Sequence, residues 1–323
     1  MTNERPEIEI KLYEPWMKKQ VAGLFEMEYK VSVREFEEFM SRLYEHPYQA
    51  EKSIKIVAAD GDKIVGFQSF FYWPYTYKDK IFNSYQSGNS LVHQDYRGKR
   101  LFARMLDFIN NVELPLSVDF LMGFPVQASY NSFIKNKWNN LFDLQWYIKP
   151  LNPLAFLFPG KRLERYLLKG NKENAAGFSS FVRLSEETGF RSWKAQLNNA
   201  SYYQFRFEKE GKDILFDLKV QKRKRIITEL VIGSIRYTDE NSKFLGEAFE
   251  ALVGKVKKAG CVSMLSYASN DLFQHPDIKQ ILVNNKFKKI DKKIYFIIKP
   301  LKPVMDIEHA GIWNAGRADI DTW

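Results

Sequence analysis

The chain has 323 residues, of which 45% are hydrophobic and 27% are charged, which is typical of a globular protein with room for two domains of ordinary size. Its formal net charge of +10 favours an anionic partner, and its single cysteine excludes an intramolecular disulfide. No stretch reaches the roughly 20 apolar residues that span a bilayer, so we expect no transmembrane segment.

The rest of the composition indicates a cytoplasmic protein without a metal centre. Met1–Ile10 contains three glutamates and lacks the apolar region of a signal peptide. Cys261 precedes an apolar run and is expected to be a core residue. The four histidines show no ligand spacing. Basic residues are scattered apart from Lys222–Arg225, which we interpret as a solvated hairpin turn, so a nucleic-acid partner is not expected.

The first half of the chain has an order of elements that is typical of a mixed α/β sheet. Ser32 can cap a helix, and Asp60–Asp62 is a turn signal between two apolar runs. Antiparallel strands lead into a strand–helix–strand crossover, which places helices on the faces of the sheet. The predicted elements are a strand at Glu9–Leu12, helices at Val21–Tyr29 and Val33–Leu43, strands at Ile54–Ala59, Ile64–Tyr72 and Phe82–Val92, a helix at Leu101–Val112, a strand at Val118–Met122, a helix at Tyr130–Trp138 and a strand at Leu141–Ile148.

The second half of the chain repeats the end of the first. Ile148–Pro153 recurs as Ile298–Pro303. In both halves this string follows a predicted helix, strand, helix and strand. The second half supplies the first three of these elements at Phe244–Val256, Val262–Tyr267 and Ile278–Val283. Agreement in the string and in the order of elements indicates a duplication.

The duplication predicts two tandem domains of the same α/β type. The first covers residues 1–153, and the second covers residues 181–323 with a C-terminal tail. The linker, residues 154–180, contains a turn at Pro159–Gly160 and a basic amphipathic segment at Lys161–Lys169. We interpret this segment as a linker helix packed on one domain, with contact to a membrane surface as the alternative.

One short loop has the features of a phosphate-binding site. A strand ends at Val92 and a helix begins at Leu101, and the first turn of a helix has backbone N–H groups without partners at the positive end of the helix dipole. Gly98 leaves room for a ligand to approach closely. Three cations surround this point, namely Arg97, Lys99 and Arg100. The expected ligand is a pyrophosphate.

This loop resembles the acetyl-CoA-binding motif of the GNAT (N-acetyltransferase) superfamily, in which a strand leads to V-x-P-x-x-R/Q-x-x-G-x-G/A and then to a helix. Val92 matches the valine, and Arg97 matches the arginine or glutamine. Gln94 replaces the proline, Arg100 the first motif glycine, and Phe102 the glycine or alanine. Arg100 narrows the space for bonding between backbone and phosphate, but it can itself contact phosphate.

The resemblance implies a fold and a set of functional residues. The fold is α/β, with two tandem GNAT-like domains that each have a mixed, mostly antiparallel sheet flanked by helices. Val92 would polarise the acyl carbonyl. Tyr130 would protonate the leaving thiolate, because Phe133 occupies the position of the family's usual tyrosine. The residues implied to bind the cofactor are Leu91, Val92, Arg97, Gly98, Lys99, Arg100, Leu101 and Phe102.

The second half lacks this loop. Its corresponding link, Ile232–Phe244, places Asp239 and Glu240 where a pyrophosphate would lie. Like charges would repel the cofactor there. The second domain is therefore expected to be a degenerate copy that shapes the acceptor pocket or supports the first domain.

The resemblance implies transfer of an acyl group from acyl-CoA, with acetyl-CoA as the expected donor, to a primary amine. The general base is either water or a carboxylate such as Glu26 or Glu28. The tandem form, with the tail Gly311–Asp321, is similar to acyltransferases of bacterial surface-polysaccharide pathways, which implies an amino sugar or a sugar nucleotide as acceptor. Two alternatives stay open: a Fem-like transferase that uses aminoacyl-tRNA, and a degenerate GNAT binding protein without turnover.

Overall fold

A computed structural model describes residues 7–78, 80–111, 117–170, 180–198, 200–223, 226–273, 278–303 and 307–321. The chain forms two compact units, each assembled from three separate segments. Unit 1 consists of Met1–Pro74, Phe82–Asn140 and Phe296–Val304. Unit 2 consists of Tyr75–Ile81, Leu141–Tyr295 and Met305–Trp323.

The first half of the chain forms the elements that the hydrophobic pattern predicts, together with two short strands that it does not, β4 and β5. The bounds are β1 Glu9–Leu12, α1 Lys18–Tyr29, α2 Val33–Leu43, β2 Ile54–Asp60, β3 Lys63–Tyr72, β4 Tyr75–Tyr77, β5 Lys80–Phe82, β6 Ser84–Val92, α3 Leu101–Phe108, β7 Phe120–Gly123, α4 Gln127–Lys135 and β8 Asn139–Pro150. The helix predicted to reach Val112 ends at Phe108, and Val112 lies outside the described residues.

The second half begins with short elements and continues with long strands. The bounds are β9 Leu168–Lys169, β10 Arg183–Leu184, α5 Thr188–Lys194, β11 Ser201–Lys209, β12 Lys212–Arg223, β13 Ile227–Arg236, α6 Leu245–Ala259, β14 Met264–Asn270, α7 Ile278–Asn284 and β15 Lys288–Pro300. The basic turn predicted at Lys222–Arg225 falls partly on Lys224 and Arg225, which lie outside the described residues.

Unit 1 contains a mixed sheet in the order β1–β2–β3–β6–β7, with the end of β15 beside β7. All neighbours are antiparallel except β6 and β7, which run parallel and are joined through α3. Local chemistry supports the predicted elements. Ser32 and Glu35 form a capping box at the start of α2, and Gly61, with a φ of +57°, makes the hairpin turn between β2 and β3.

In unit 2 the strands pair in the order β8–β14–β13–β12–β11–β9, again with mixed directions. Here β13 and β14 are the parallel pair, and α6 joins them. The apolar face of α6 packs against the sheet through residues such as Leu245, Phe249 and Leu252, all of which are fully buried. Burial of each such side chain contributes about 1.5–3 kcal/mol. Cys261 belongs to the same core, as predicted.

The last strand of each half of the sequence pairs in the unit that is built mainly from the other half. Strand β8, from the first half of the sequence, pairs antiparallel with β14 through Leu144–Pro150 in unit 2. Strand β15, from the second half, pairs antiparallel with β7 through Ile297–Pro300 in unit 1. The repeated strings at Ile148–Pro153 and Ile298–Pro303 therefore begin in the last three residues of corresponding strands, one in each unit. The limits given for the two sequence domains, at 1–153 and 181–323, stay a prediction.

The predicted linker helix is a short 3-10 helix and not an α-helix. Gly160–Arg165 is a short 3-10 helix, and residues 171–179 lie outside the described part of the chain. Gly160 at its first position disfavours a helix, because glycine loses more backbone entropy there than other residues do. None of the helices within the described residues has the length and apolar character that crossing a bilayer requires.

Candidate functional site

A cleft of about 680 Å³ opens in unit 1, lined by the end of β6, the loop after it, α3 and α4. Seven of the eight residues predicted to bind the cofactor line this cleft: Leu91, Val92, Arg97, Gly98, Arg100, Leu101 and Phe102. The eighth, Lys99, holds its ammonium 4.5 Å from the centre of the Tyr96 ring. The structure thus brings the predicted residues of one loop together at one concave surface.

The loop enters α3 through two residues with left-handed backbone. Gly98 has a φ of +80°, with open space where a Cβ would stand, and Arg100 has a φ of +58°. The first hydrogen bond of α3 is donated by the Arg104 N–H to the Arg100 carbonyl at 3.0 Å. The three N–H groups before it therefore have no acceptor within the helix. They belong to Leu101, Phe102 and Ala103, which line the cleft.

The arginines of the loop have different surroundings. Arg97 Nη2 donates to Glu28 Oε2 at 2.5 Å, and Arg97 Nε donates to the Val92 carbonyl at 3.3 Å. The side chains of Arg97 and Glu28 are 54% and 41% exposed, so solvent screens this pair. Arg100 is exposed and also lines the cleft. Part of the charge of Arg97 is thus neutralised by Glu28, which leaves Arg100 as a main source of positive potential at the start of α3.

Strand β6 has a bulge just before the loop. Asn89 and Ser90 together lie opposite a single residue of β3, Gln68. Asn89 has a left-handed backbone, with a φ of +51°, which asparagine tolerates better than most residues. A bulge interrupts the ladder of backbone bonds and redirects the strand. Leu91 and Val92, which follow the bulge, line the cleft.

A network of polar side chains holds the bulge. Asn89 Nδ2 donates to Tyr44 OH at 2.7 Å, and Tyr44 OH lies 2.5 Å from Ser69 Oγ. Ser90 Oγ donates to Gln68 Oε1. Tyr44, Gln68 and Ser69 are fully buried, so each bond replaces one that water would otherwise make. Our sequence analysis missed this network, although polar residues in the interior of a predicted strand were a signal that could have indicated it.

The pairing of β6 with β7 ends before the bulge. Their parallel ladder has three residue pairs and ends at the pair Gln86–Met122. The rest of β6, up to Val92, extends beyond this ladder. Backbone groups of a strand edge are free to bond a ligand.

The opposite wall of the cleft comes from α4. Ser129, Ser132 and Lys135 line it, so this wall offers two hydroxyl groups and a cation. These three residues were not among the predicted site residues. Their helical spacing of three residues places them along one face of α4, and this spacing was visible in the sequence.

The residue at the position of the family's tyrosine is part of the core. Phe133 is buried, with its ring centre 5.1 Å from that of Phe102 and 4.9 Å from that of Trp138. The contact explains why a large side chain is accommodated at Phe102, where the motif has glycine or alanine. Tyr130 is half-buried on the same helix, and its role as a proton donor stays a prediction.

The corresponding connection in unit 2 is closed by the chain's own groups. Asp239 accepts hydrogen bonds from the backbone N–H and the hydroxyl of Ser180, at 3.1 and 3.0 Å. Glu240 Oε2 lies 2.5 Å from Lys212 Nζ. The two carboxylates that the sequence places in this connection are therefore engaged within unit 2.

Unit 2 also contains a cavity of about 80 Å³ lined by charged side chains. Arg236 donates two hydrogen bonds to Asp217, each 2.9 Å long, and lies 3.3 Å from Glu186. Desolvation opposes ionisation of Asp217, but the charge of Arg236 and hydrogen bonds to the carboxylate outweigh it and lower its pKa. Desolvation lowers the pKa of Lys194 to about 7 and raises the pKa of Asp319 to about 6. Arg236 thus stabilises the charged form of Asp217, whereas burial opposes the charged forms of Lys194 and Asp319.

Comparison with known proteins identifies the fold. No protein-family model and no curated protein matches the sequence. A GCN5-related N-acetyltransferase from Anabaena variabilis is similar in structure, with a TM-score of 0.64 and 9% identity over 92% of this chain and 73% of that one. The chain has the GNAT fold. The predicted fold class, with two tandem GNAT-like domains, is confirmed.

Two further structures with the GNAT fold cover most of this chain. A protein from Enterococcus faecalis described as a probable N-acyltransferase has a TM-score of 0.55 and 13% identity over 91% of this chain and 73% of that one. Saccharomyces cerevisiae N-myristoyltransferase with bound myristoyl-CoA has a TM-score of 0.52 and 14% identity over 98% of this chain and 87% of that one. At these identities the similarity establishes the fold alone.

Proposed function

We propose that this protein is a cytoplasmic N-acyltransferase that takes an acyl group from acyl-CoA, with acetyl-CoA as the donor. The observation that carries the proposal is the start of α3. The N–H groups of Leu101, Phe102 and Ala103 have no acceptor within the helix, these three residues line a cleft, and the exposed Arg100 lines it too. Such an arrangement suits a diphosphate, because both the backbone dipoles and the side-chain charge attract an anion.

The remaining parts of the cleft fit the rest of the cofactor. The edge of β6 beyond the Gln86–Met122 pair can accept the amide groups of a pantetheine arm, as strand edges do for extended chains. The bulge turns Leu91 and Val92 into the cleft, where a backbone N–H can polarise a thioester carbonyl. The solved structures with bound myristoyl-CoA support an acyl-CoA in this fold.

The proposed reaction is attack by a neutral primary amine on the thioester carbonyl. The C–S bond breaks, the amine loses a proton, and the CoA thiolate gains one. Glu28 is paired with Arg97, so we assign the base to water or to Glu26 rather than to Glu28. Tyr130 remains our candidate for protonating the thiolate. The acceptor that we propose is an amino sugar or a sugar nucleotide of surface-polysaccharide synthesis.

Calorimetric titration with acetyl-CoA tests the cofactor site. Arg100→Glu reverses a charge at the start of α3, and we expect at least tenfold weaker binding, because two unit charges 4 Å apart interact by about 1–4 kcal/mol. The matched control is Arg34→Glu, an exposed residue of α2 that pairs with Glu38, which changes the net charge equally. We expect it to alter affinity by less than about twofold, since exposed charges are screened. Equal effects of both variants would discard the assigned site.

Turnover is tested separately, by thiol release from acetyl-CoA in the presence of amino sugars and sugar nucleotides. Binding without thiol release from any amine would favour the degenerate binding protein. RNA binding that weakens steeply with salt would favour the Fem-like transferase.

A further inference from the structure

The segment after β8 exposes several large apolar side chains close together in the chain. Leu154, Phe156, Leu157 and Phe158 are 54%, 49%, 63% and 40% exposed. Single exposed apolar residues are common on protein surfaces, whereas several together mark an interaction site. All four lie within five positions of the chain, around a 3-10 turn at Ala155–Leu157.

Other residues of the same segment are buried in unit 2 and hold it in this position. Ala155, Leu163 and Leu167 of the same stretch are buried, and the two leucines belong to the main core of the unit. Asn152 fixes the start of the segment, because its Nδ2 donates to the Gly260 carbonyl at 2.6 Å. The segment is thus anchored by one set of side chains while it presents another set to solvent.

Cationic side chains flank the apolar ones. The residues Lys161, Arg162, Arg165 and Lys169 follow within eleven positions, with Glu164 as the one acidic residue among them. Glu164 pairs with Lys169 at 3.2 Å, and the guanidinium of Arg162 lies 4.8 Å from the centre of the Phe158 ring. Between residues 154 and 169 the four cations and one anion give a net charge of +3.

We propose that the 154–169 segment docks on the surface of a membrane that contains anionic lipids. Phenylalanine and leucine side chains enter the boundary between headgroups and acyl chains, while lysine and arginine bind the lipid phosphates. A bilayer surface fits this combination because its apolar layer lies directly beneath a layer of negative charge. A protein interface is a poorer match, since lysine is depleted there. The contact is peripheral and reversible.

Flotation with lipid vesicles tests the proposal on the full chain. Vesicles of phosphatidylcholine with about 30% phosphatidylglycerol should bind the protein, and pure phosphatidylcholine vesicles should bind it at least tenfold more weakly. The double variant Phe156→Ser/Leu157→Ser should lower the partition coefficient on anionic vesicles at least tenfold. Lys161→Glu/Arg165→Glu should do the same, and salt should weaken binding of the unsubstituted protein.

A matched control removes exposed apolar residues elsewhere on unit 2. Leu272 and Val283 are 55% and 53% exposed, so Leu272→Ser/Val283→Ser removes comparable surface. We expect less than a twofold change from it. All substituted side chains are exposed or flank the core, and the melting temperature of each variant checks that it is folded. The proposal is overturned if the unsubstituted protein does not float, if neutral and anionic vesicles bind it equally, or if the control reduces binding as much. It is likewise overturned if the segment variants change only the oligomeric state, as measured by light scattering.

Discussion

The two units place the same connection in contrasting environments. In unit 1, the link from β6 to α3 is open: it lines a cleft and presents N–H groups and Arg100. In unit 2, the link from β13 to α6 is closed: Asp239 accepts hydrogen bonds from Ser180, and Glu240 pairs with Lys212. The same topology thus gives a connection that lines a cleft in one unit and a self-contained turn in the other, depending on the side chains at the start of the helix.

The bulges before the two connections sharpen this contrast. Asn89 lies in the bulge of β6, three residues before the strand ends, and Gly233 lies in the bulge of β13, three residues before that strand ends. In unit 1 the residues after the bulge face the cleft. In unit 2 the C-terminal tail covers the bulge: a Cβ added to Gly316 would stand 2.5 Å from the Gly233 carbonyl oxygen. In unit 2 the chain itself therefore packs against the backbone at the bulge.

The largest effect is expected from breaking the closed connection at Asp217. This carboxylate bonds Ser234 and Arg236, the residues that lead from the bulge of β13 to the connection. Asp217→Asn leaves the buried guanidinium of Arg236 without its main counter-charge, which costs about 3–5 kcal/mol of the free energy of unfolding. Urea denaturation measures this loss. The control is Asp213→Asn, which removes the more exposed pair with Arg206 and should cost less than about 1 kcal/mol.

The effect of Asp217→Asn can also be measured through the pH dependence of the free energy of unfolding. The pKa of Asp217 is lower in the folded protein than its ordinary value, so the folded state binds this proton less readily than the unfolded state. The carboxylate stabilises the fold above its ordinary pKa, and this contribution disappears as the pH falls through the lowered pKa. Asp217→Asn should flatten the acid limb of the stability profile. An unchanged acid limb would show that other carboxylates control it.

The next effect tests the open connection at Gly98. Gly98→Asp places a carboxylate in the loop before the start of α3, and we expect acetyl-CoA to bind about 100-fold more weakly, equivalent to about 2.7 kcal/mol. The control is Gly61→Asp in the β2–β3 turn, which has a similar positive φ and also has open space at the Cβ position. Both substitutions should cost a similar, small amount of stability, about 1 kcal/mol. If both leave affinity unchanged, the diphosphate does not bind at α3.

The sequence predicted the open connection well because its determinants are local. A strand end, a glycine, three cations and a helix start lie within ten residues, Val92–Leu101, and the apolar spacing of the helices on either side can be counted directly. The hairpin at Asp60–Asp62 was predictable for the same reason. Element order, the capping box of α2 and the loop at Gly98 all follow from neighbours in the chain.

Features decided by distant segments could not be predicted. The exchange of β8 and β15 depends on which strand edge each one meets, and the two strands lead into nearly identical strings, so the pattern alone does not choose between edges. The pairing of Arg97 with Glu28 joins residues 69 positions apart. The closure of unit 2 by the tail at Gly316 is a contact of the same kind. Contacts between segments that are far apart in the sequence, rather than local preference, determine each of these.

The smallest effect is expected at the ion pair between Arg97 and Glu28. This pair neutralises part of the positive charge that the sequence of the loop predicts for the cleft. Glu28→Gln removes the negative charge beside Arg97 and frees its guanidinium for the cleft. Because the pair is substantially exposed, the gain is limited to about 1 kcal/mol, so acetyl-CoA should bind up to about fivefold more tightly. Turnover should persist, since the base is assigned elsewhere. Glu38→Gln, which removes the exposed partner of Arg34, is the matched control and should leave affinity unchanged. A collapse of turnover with unchanged affinity would instead make Glu28 the general base.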